Sequence, residues 1–168
     1  MNEMNNNIQL FNLREVLSPE SVKAKVLVKS WQEAADEVGQ LLLSVGKIEQ
    51  GYIERMKQIV DEIGPYMVVA PGVALLHARP EDGVREPCVG VVTLKKPVKF
   101  GHEENDPVDI VIAFGATNKE SHIPALKQLA GQLSNVEVLT NIRSADSTDT
   151  LYKTFLNLNT ITPSSNNS

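Results

Sequence analysis

A nearly continuous apolar run at residues 67–76 constrains the fold of this chain more than any other feature. The run is long enough for buried β structure, and Pro71-Gly72 divides it into two short segments. It ends on His77, and a turn rich in charge, Pro and Gly follows at once over residues 78–83. This layout predicts an imidazole at the rim of a rigid sheet, half in the core and half in solvent. There it can act as a nucleophile near neutral pH, because the ordinary pKa of histidine is about 6.5.

The segments on either side of this run predict an α/β fold. Apolar residues recur at helical spacing over residues 31–45, after a candidate N-cap at Ser30, and over residues 49–63, before Gly64-Pro65. Lys95-Lys96-Pro97 is expected to end a strand at residues 87–94. Shorter signals predict further elements: a helix start at 18–20, strands at 87–94, 108–114 and 136–139, and helices around 123–133 and 147–158. The expected architecture is a single-domain α/β sandwich with a mixed central β-sheet flanked by helices.

Composition and charge describe an ordinary globular protein of 168 residues, enough for one domain with a substantial core. The polar ends predict a flexible N-terminal segment at 1–17, a folded domain at 18–160 and a flexible tail at 161–168. The net charge of −5 argues against nucleic-acid binding, which needs a basic patch. The apolar runs are too short to cross a bilayer, no signal-peptide pattern is present, and Cys88 is the single cysteine. We therefore expect a cytoplasmic protein without an internal disulfide and without direct membrane insertion.

Several motifs taken together resemble a known family. The mannitol/fructose-type (type 2) enzyme IIA domain of the bacterial phosphoenolpyruvate-dependent sugar phosphotransferase system (PTS) is similar to this chain in five segments: Gly64-Pro65-Tyr66, residues 70–80, Phe100-Gly101-His102, residues 105–109 and Ser121-His122. The resemblance covers residues 30–156, nearly the whole of the expected domain. It implies the same α/β architecture.

The resemblance also implies the activity of a phosphocarrier. A phosphohistidine on the small carrier protein HPr would donate its phosphoryl group to His77, and His77 would pass the group to a cysteine of an enzyme IIB partner. Neither a cofactor nor a metal would be required. The alternative within the same fold is a regulatory module, in which phosphorylation of His77 serves as a signal rather than as a step of sugar transport.

The same resemblance gives a role to His122, which would hydrogen-bond the phosphoryl oxygens held by His77. Its predicted place at a helix start suits an anion, because backbone N–H groups and the helix dipole point there. The plainer alternatives are a hydrogen-bonded structural His77 and a His122 that only decorates a helix terminus. His102 is expected to be a solvated loop residue. Leu76 departs from the family pattern, since many members have Pro before the histidine; the difference can alter local geometry but keeps the nucleophile.

The sequence resembles the ascorbate-like branch of the family more than the mannitol branch. Mannitol-type members carry an arginine in the helix before Gly64-Pro65, whereas residues 58–61 here include no basic side chain. Residues 78–84, Ala-Arg-Pro-Glu-Asp-Gly-Val, also resemble the ascorbate-like branch. Arg79 either supplies the missing positive charge near His77 or is a solvated turn residue.

Metal and nucleotide chemistry have little support in the sequence. The three histidines are separated by 25 and 20 residues, which matches no short zinc-ligand motif, and Cys88 has no second cysteine to pair with. The chain also lacks Gly-x-x-x-x-Gly-Lys-Ser/Thr and Gly-x-Gly-x-x-Gly, two common phosphate-binding loops. The resemblance described above implies a phosphotransferase that works through a phosphohistidine at His77, with His122 as the second catalytic residue.

Overall fold

The computed structural model describes residues 12–160, so the predicted flexible residues 1–11 and 161–168 lie outside the described part of the chain. Five strands form one sheet: β1 (Val22–Val26), β2 (Val68–Ala70), β3 (Val73–Leu76), β4 (Cys88–Val98) and β5 (Val108–Gly115). Their order across the sheet is β1-β4-β5-β3-β2. The pairs β1–β4 and β3–β5 are parallel, whereas β4–β5 and β2–β3 are antiparallel. The predicted mixed sheet is confirmed.

Six α-helices lie in the described part of the chain: α1 (Leu13–Val16), α2 (Trp31–Ser44), α3 (Gln50–Ile63), α4 (Lys119–Leu133), α5 (Val136–Ser144) and α6 (Thr148–Leu156). α2 and α3 pack on the first face of the sheet, and the other four pack on the second face. Alternation along β5 creates the two cores, because Val111 and Ala113 join the first while Ile112 and Phe114 join the second. The predicted α/β sandwich is confirmed. None of these helices is long and apolar enough to span a membrane.

Capping residues set the ends of the two helices on the first face. The Oγ atom of Ser30 accepts the N–H of Glu33 at 3.2 Å, and the Glu33 carboxylate accepts the N–H of Lys29 at 2.8 Å. These bonds confirm the predicted start of α2. α3 ends at Ile63, and the following Gly64 has a φ of +112°, which is unfavourable for residues with a side chain.

Residues 136–139 do not form a strand, and that prediction is wrong. They begin α5 because Asn135 caps a helix there: its Oδ1 atom accepts the N–H groups of Glu137 and Val138. Val138 and Ile142 are then buried one helical turn apart. The capping residue, rather than the short apolar run, decides the structure of this segment.

The structure also differs from prediction along the β1–β4 pair. The predicted helix start at 18–20 is a single 3-10 turn, Pro19–Ser21, after which the chain enters β1. β4 does not end before Lys95-Lys96-Pro97 but continues to Val98. The three residues are exposed, and the pairing with β5 is irregular between Thr93 and Val98, so the proline interrupts no regular ladder.

Residues 12–17 lie within the segment that the sequence predicts to be flexible, and they contain α1. Leu13 and Leu17 are both buried in the core of the second face. The described part of this segment therefore packs with the sandwich. The boundary between segment and domain at residue 18 stays a prediction.

Candidate functional site

His77 follows β3 directly, and it is more deeply buried than the sequence predicts, with 7% of its surface exposed. Its Nδ1 atom lies 2.9 Å from the carbonyl oxygen of Leu75. Because a carbonyl oxygen only accepts hydrogen bonds, Nδ1 carries the ring proton and Nε2 keeps its lone pair. Leu76, the departure from the family pattern, is fully buried in the first core. The backbone thus presents His77 as a neutral imidazole whose free nucleophilic atom is Nε2.

The surroundings of His77 also favour its neutral form. Burial lowers the pKa of the ring from 6.5 to about 4, because the charged imidazolium loses its hydration. The hydrogen bond to Leu75 acts in the opposite direction, and the neighbouring His122 lowers the pKa further. The Nε2 lone pair is therefore available at neutral pH without prior loss of a proton.

We expect the NMR titration of the His77 ring to have its midpoint near pH 4. The unfolded chain binds this proton near the ordinary pKa of about 6.5, so the group lowers stability as the pH falls from there through the folded value. The loss amounts to roughly 3 kcal/mol of unfolding free energy, at about 1.4 kcal/mol per pH unit. Denaturant unfolding of the wild-type and His77→Gln proteins, at neutral and acidic pH, isolates this contribution. A ring that titrates near its ordinary value would contradict it.

His122 lies in the first turn of α4, where its N–H donates to the Asn118 carbonyl oxygen at 3.2 Å. Asn118 also caps the helix, since its Oδ1 atom accepts the N–H of Ser121 at 3.0 Å. The ring centroids of His77 and His122 are 5.6 Å apart. The fold thus brings the two histidines singled out in the sequence to one end of the sheet.

The Phe114 ring packs against both imidazoles. Its centroid lies 5.2 Å from that of His77 and 5.4 Å from that of His122, and it stacks on His122 at an interplanar angle of 30°. Burial lowers the pKa of His122, an effect that the Glu81 carboxylate opposes. The Nδ1 atom of His122 is buried and makes no hydrogen bond to the described part of the protein. Such a nitrogen is unusual in a folded protein and marks a place for a polar group.

The turn after His77 carries charges of both signs, and Arg79 pairs with the acids of this turn. The Nε atom of Arg79 lies 3.5 Å from Asp82 Oδ2 and 3.7 Å from Glu81 Oε2, and its side chain is 65% exposed. That Arg79 supplies a positive charge to the surroundings of His77 stays a prediction. α3 contributes a second cation, Arg55, whose Nε atom lies 3.9 Å from the same Asp82 oxygen. Arg55 lies one turn of α3 before residues 58–61, so the stretch compared with mannitol-type members does not include it.

Two exposed apolar side chains adjoin the two histidines, one in space and one in the chain, and we call them the apolar rim. Tyr66 is 54% exposed, and its ring stands edge-on to His77, with centroids 6.4 Å apart. Ile123 follows His122 in α4 and is 51% exposed. The rim gives the site the character of a protein-docking surface around a recessed nucleophile.

His102 lies at the opposite end of the sheet, since it precedes β5 whereas His77 follows β3, and these strands are parallel. Its Nδ1 atom accepts the N–H of Asn105 at 3.1 Å, so the ring stabilises a turn. Cys88 is buried, which raises the pKa of its thiol to about 12. Within residues 12–160 no group of three or more His, Cys, Asp or Glu side chains is placed to hold a metal ion.

The chemistry available to this site is the transfer of an anionic group. A neutral nitrogen with a free lone pair can attack an electrophile, and a second imidazole beside it can donate a hydrogen bond to the oxygens of that electrophile. The start of α4 adds the partial positive charge of a helix N-terminus.

Comparisons with known proteins agree with one another. The family model described as phosphoenolpyruvate-dependent sugar phosphotransferase system, EIIA 2, matches residues 15–158. A curated protein of Salmonella paratyphi A, named ascorbate-specific PTS system EIIA component, is 39% identical over 129 residues, which make up 74% of this chain and 84% of the relative.

Two solved structures share the fold. The solution structure of the mannitol-specific cryptic phosphotransferase enzyme IIA from Escherichia coli has a TM-score of 0.77 and 30% identity, covering 87% of this chain and 99% of that chain. A complex of mannitol enzyme IIA with phosphorylated mannitol enzyme IIB from Escherichia coli has a TM-score of 0.71 and 23% identity, covering 83% of this chain and 97% of the matched one.

Proposed function

Because this chain belongs to the EIIA 2 family of the phosphoenolpyruvate-dependent sugar phosphotransferase system, we propose that His77 is the residue on which it carries a phosphoryl group. The family makes the chain a phosphotransferase that acts as a phosphocarrier. The assignment to His77 depends on one observation above all, the hydrogen bond from Nδ1 to Leu75, which leaves Nε2 as the attacking atom. Burial of the ring supports it by keeping Nε2 unprotonated at neutral pH.

The transfer to His77 is a displacement at phosphorus. The Nε2 lone pair attacks the phosphorus of a phosphohistidine on HPr, the donor's N–P bond breaks, and its electron pair returns to the donor nitrogen. No proton has to leave His77, because Nε2 carries none. A cysteine thiolate of an enzyme IIB then attacks the same phosphorus, the Nε2–P bond breaks, and His77 regains its lone pair. The carrier returns to its starting state with no change in its protonation.

His122 donates a hydrogen bond to the phosphoryl oxygens in this proposal. Negative charge spreads over the three equatorial oxygens in the transition state, and a donor placed beside them lowers the barrier. The 5.6 Å separation of the ring centroids leaves room for a phosphoryl group on His77 to contact the second ring. The N-terminus of α4 favours the same anion.

Both partner proteins dock over the apolar rim in this proposal. Tyr66 and Ile123 are exposed where the nucleophile is recessed, so a partner that covers them also excludes water from the transfer. Residues 79–86 border the same site with charges of both signs, and they distinguish one enzyme IIB surface from another. The encounters are transient, as a relay requires, so the interfaces are small.

An ascorbate-type system is the proposed setting of this carrier. The curated relative from Salmonella bears that name, and residues 58–61 lack the arginine of mannitol-type members. The name of the relative also favours a step of sugar uptake over the regulatory alternative. Since phosphoenolpyruvate is a metabolite of the cytoplasm, we propose that the carrier works there.

Incubation with phosphoenolpyruvate, enzyme I and HPr tests the proposed function. We expect the wild-type protein to take up one phosphate per chain, stable in base and labile in acid, as a phosphohistidine is. Omission of HPr is the control and should prevent labelling. A protein that HPr leaves unlabelled would contradict the proposed donor.

The phosphorylated carrier is then separated from phosphoenolpyruvate, enzyme I and HPr and used to test the assignment to the ascorbate-like branch. We expect it to lose its phosphate quickly to an ascorbate-type enzyme IIB and slowly to a mannitol-type one, because selection depends on the surface around His77. Direct transfer of the phosphoryl group from His77 to the cysteine of each enzyme IIB is followed by mass spectrometry. Equal or reversed discharge rates would refute the ascorbate assignment and leave the phosphocarrier function intact.

A further inference from the structure

The hydroxyl group of Tyr52 joins the two strand ends that carry the site. Tyr52 lies in α3 and is fully buried. Its Oη atom accepts the N–H of Ala78 at 2.9 Å and lies 2.9 Å from the carbonyl oxygen of Phe114. The Ala78 carbonyl oxygen is farther away, at 3.2 Å, so we assign the single hydroxyl proton to Phe114. One hydroxyl thus connects the residue after His77 with the residue whose ring contacts both histidines.

The register of β3 and β5 identifies what this hydroxyl replaces. The strands are parallel, and near their start the Gly72 carbonyl oxygen accepts the N–H of Ile110 at 3.0 Å. A parallel ladder uses alternate residues on each strand. The same alternation can be followed along both strands in steps of two residues. At their far end it pairs the N–H of Ala78 with the carbonyl oxygen of Phe114. The Tyr52 oxygen lies between these two groups and takes the place of the direct bond.

The Tyr52 oxygen therefore stands between the two strand ends, 2.9 Å from a backbone atom of each. The side chain of His77 lies on the second face of the sheet, where its ring contacts those of Phe114 and His122. Tyr52 reaches the same place from α3 on the first face. Any slide or rotation of Ala78 would move the adjacent His77 relative to its two ring neighbours.

The hydroxyl of Tyr52 is chemically suited to this position. Burial raises its pKa well above the ordinary value for tyrosine, and the N–H of Ala78 only partly offsets this effect. The group therefore stays protonated at physiological pH and can donate to Phe114 while it accepts from Ala78. A phenylalanine would fill the same apolar space but could do neither.

We propose that Tyr52 is a positioning residue for phosphoryl transfer, which fixes the strand end from which His77 attacks. The inference rests on the proposed function of His77. Tyr52 acts through the backbone of Ala78 and Phe114 and does not touch the phosphoryl group. No proton moves through it during the transfer.

The test compares Tyr52→Phe with Thr93→Val as a matched control. Thr93 is 2% exposed, and its Oγ1 atom accepts the N–H of Lys25 at 2.9 Å. The control therefore also removes a buried hydroxyl that accepts a backbone N–H. This hydroxyl lies far from the site, because Thr93 pairs with Ile110 near the start of β5.

We expect Tyr52→Phe to accept phosphate from HPr about 10- to 100-fold more slowly than the wild type, because displacement of a reacting atom by about an ångström has effects of this size. The maximal rate should fall while the KM for HPr stays the same, since the apolar rim is unaltered. The final amount of phosphate per chain should also be unchanged. Thr93→Val should transfer at the wild-type rate.

Imidazole ¹⁵N NMR separates positioning from a loss of stability. In the wild type and in Thr93→Val, His77 should show the Nδ1–H form alone. In Tyr52→Phe a mixture with the Nε2–H form should appear, because the contact with Leu75 depends on the position of the strand end. If Tyr52→Phe yields too little folded protein, 4-fluorophenylalanine at position 52 gives the same measurement, since it fills the volume of the hydroxyl without donating a hydrogen bond.

Three outcomes would contradict the positioning role of Tyr52 or the proposed function of His77. A wild-type rate and a single tautomer in Tyr52→Phe would overturn the positioning role and leave His77 as the phosphoacceptor. Equal slowing in Tyr52→Phe and Thr93→Val would overturn it as well, because the effect would then follow stability. A wild-type protein that HPr does not phosphorylate would instead remove the proposed function itself.

Discussion

The His77→Ala protein is expected to take up no phosphate from HPr, whereas the wild type takes up one phosphate per chain. The substitution removes Nε2, and the other groups near the site are poor replacements. The Cys88 thiol is fully buried and its pKa is raised to about 12, so it is not a thiolate at neutral pH. His122 lacks the backbone hydrogen bond that fixes the tautomer of His77. The loss should therefore be complete rather than partial.

His102→Ala is the matched control for this prediction. It removes the same side chain from the opposite end of the sheet, where the ring only stabilises a turn. This variant should be labelled to the wild-type extent and at the wild-type rate. Circular dichroism of both variants checks that they fold. Full labelling of folded His77→Ala would exclude His77 as the phosphoacceptor.

The His122→Ala protein is expected to be phosphorylated to the same extent but more slowly, by about one to three orders of magnitude. This range is typical for the loss of one donor that stabilises a developing oxyanion. Because the phosphoryl group passes through the same environment in both directions, transfer from HPr and transfer to enzyme IIB should slow together. Rapid-quench measurements of both half-reactions give the two rates.

His122→Asn is the informative companion of this variant. Its side-chain amide can donate a hydrogen bond at a similar distance from the backbone, so it should recover part of the rate lost in His122→Ala. The N-terminus of α4 is intact in both variants. If His122→Ala transfers at the wild-type rate in both directions, the residue has a structural role at the start of α4 and no role in transfer.

The parts of the fold that the sequence predicts well are those that local chemistry determines. Ser30 specifies the start of α2 with its own side chain, and Gly64 specifies the end of α3 with its backbone. Residues 108–114 are apolar enough to predict a central strand, and they form most of β5. The apolar pair Val138-Leu139 fits a strand as well as a helix, and only the cap at Asn135 distinguishes them.

β1 shows a different reason for failure. Its sequence alternates Val-Lys-Ala-Lys-Val, a period-two pattern typical of a strand with one exposed face, and the Ser-Pro-Glu helix-start signal just before it points to a helix instead. The position at the edge of the sheet, beside β4, decides in favour of the strand. Tertiary pairing agrees with the alternating pattern and not with the helix-start signal.

The functional site likewise has a part that the sequence predicts and a part that it does not. The apolar run predicts that His77 stands at a strand end, and a family resemblance adds His122, 45 residues later in the chain. Tyr52 shares the apolar face of α3, so its spacing alone indicates a core residue, and nothing local shows that its hydroxyl reaches Ala78 and Phe114. Contacts that join three separate segments follow from the tertiary structure alone. A phenol oxygen on an otherwise apolar helix face was the available signal, because buried tyrosines need a hydrogen-bond partner.

Identification of the phosphorylated atom is the most direct test of transfer through Nε2 of His77. The protein is labelled with ¹⁵N-histidine, phosphorylated by HPr, and examined for coupling between phosphorus and the imidazole nitrogens. We expect coupling to Nε2 of His77, with the proton still on Nδ1 and directed at the Leu75 carbonyl oxygen. A phosphorus bonded to Nδ1 of His77, or to any other residue, would contradict the role assigned to this histidine.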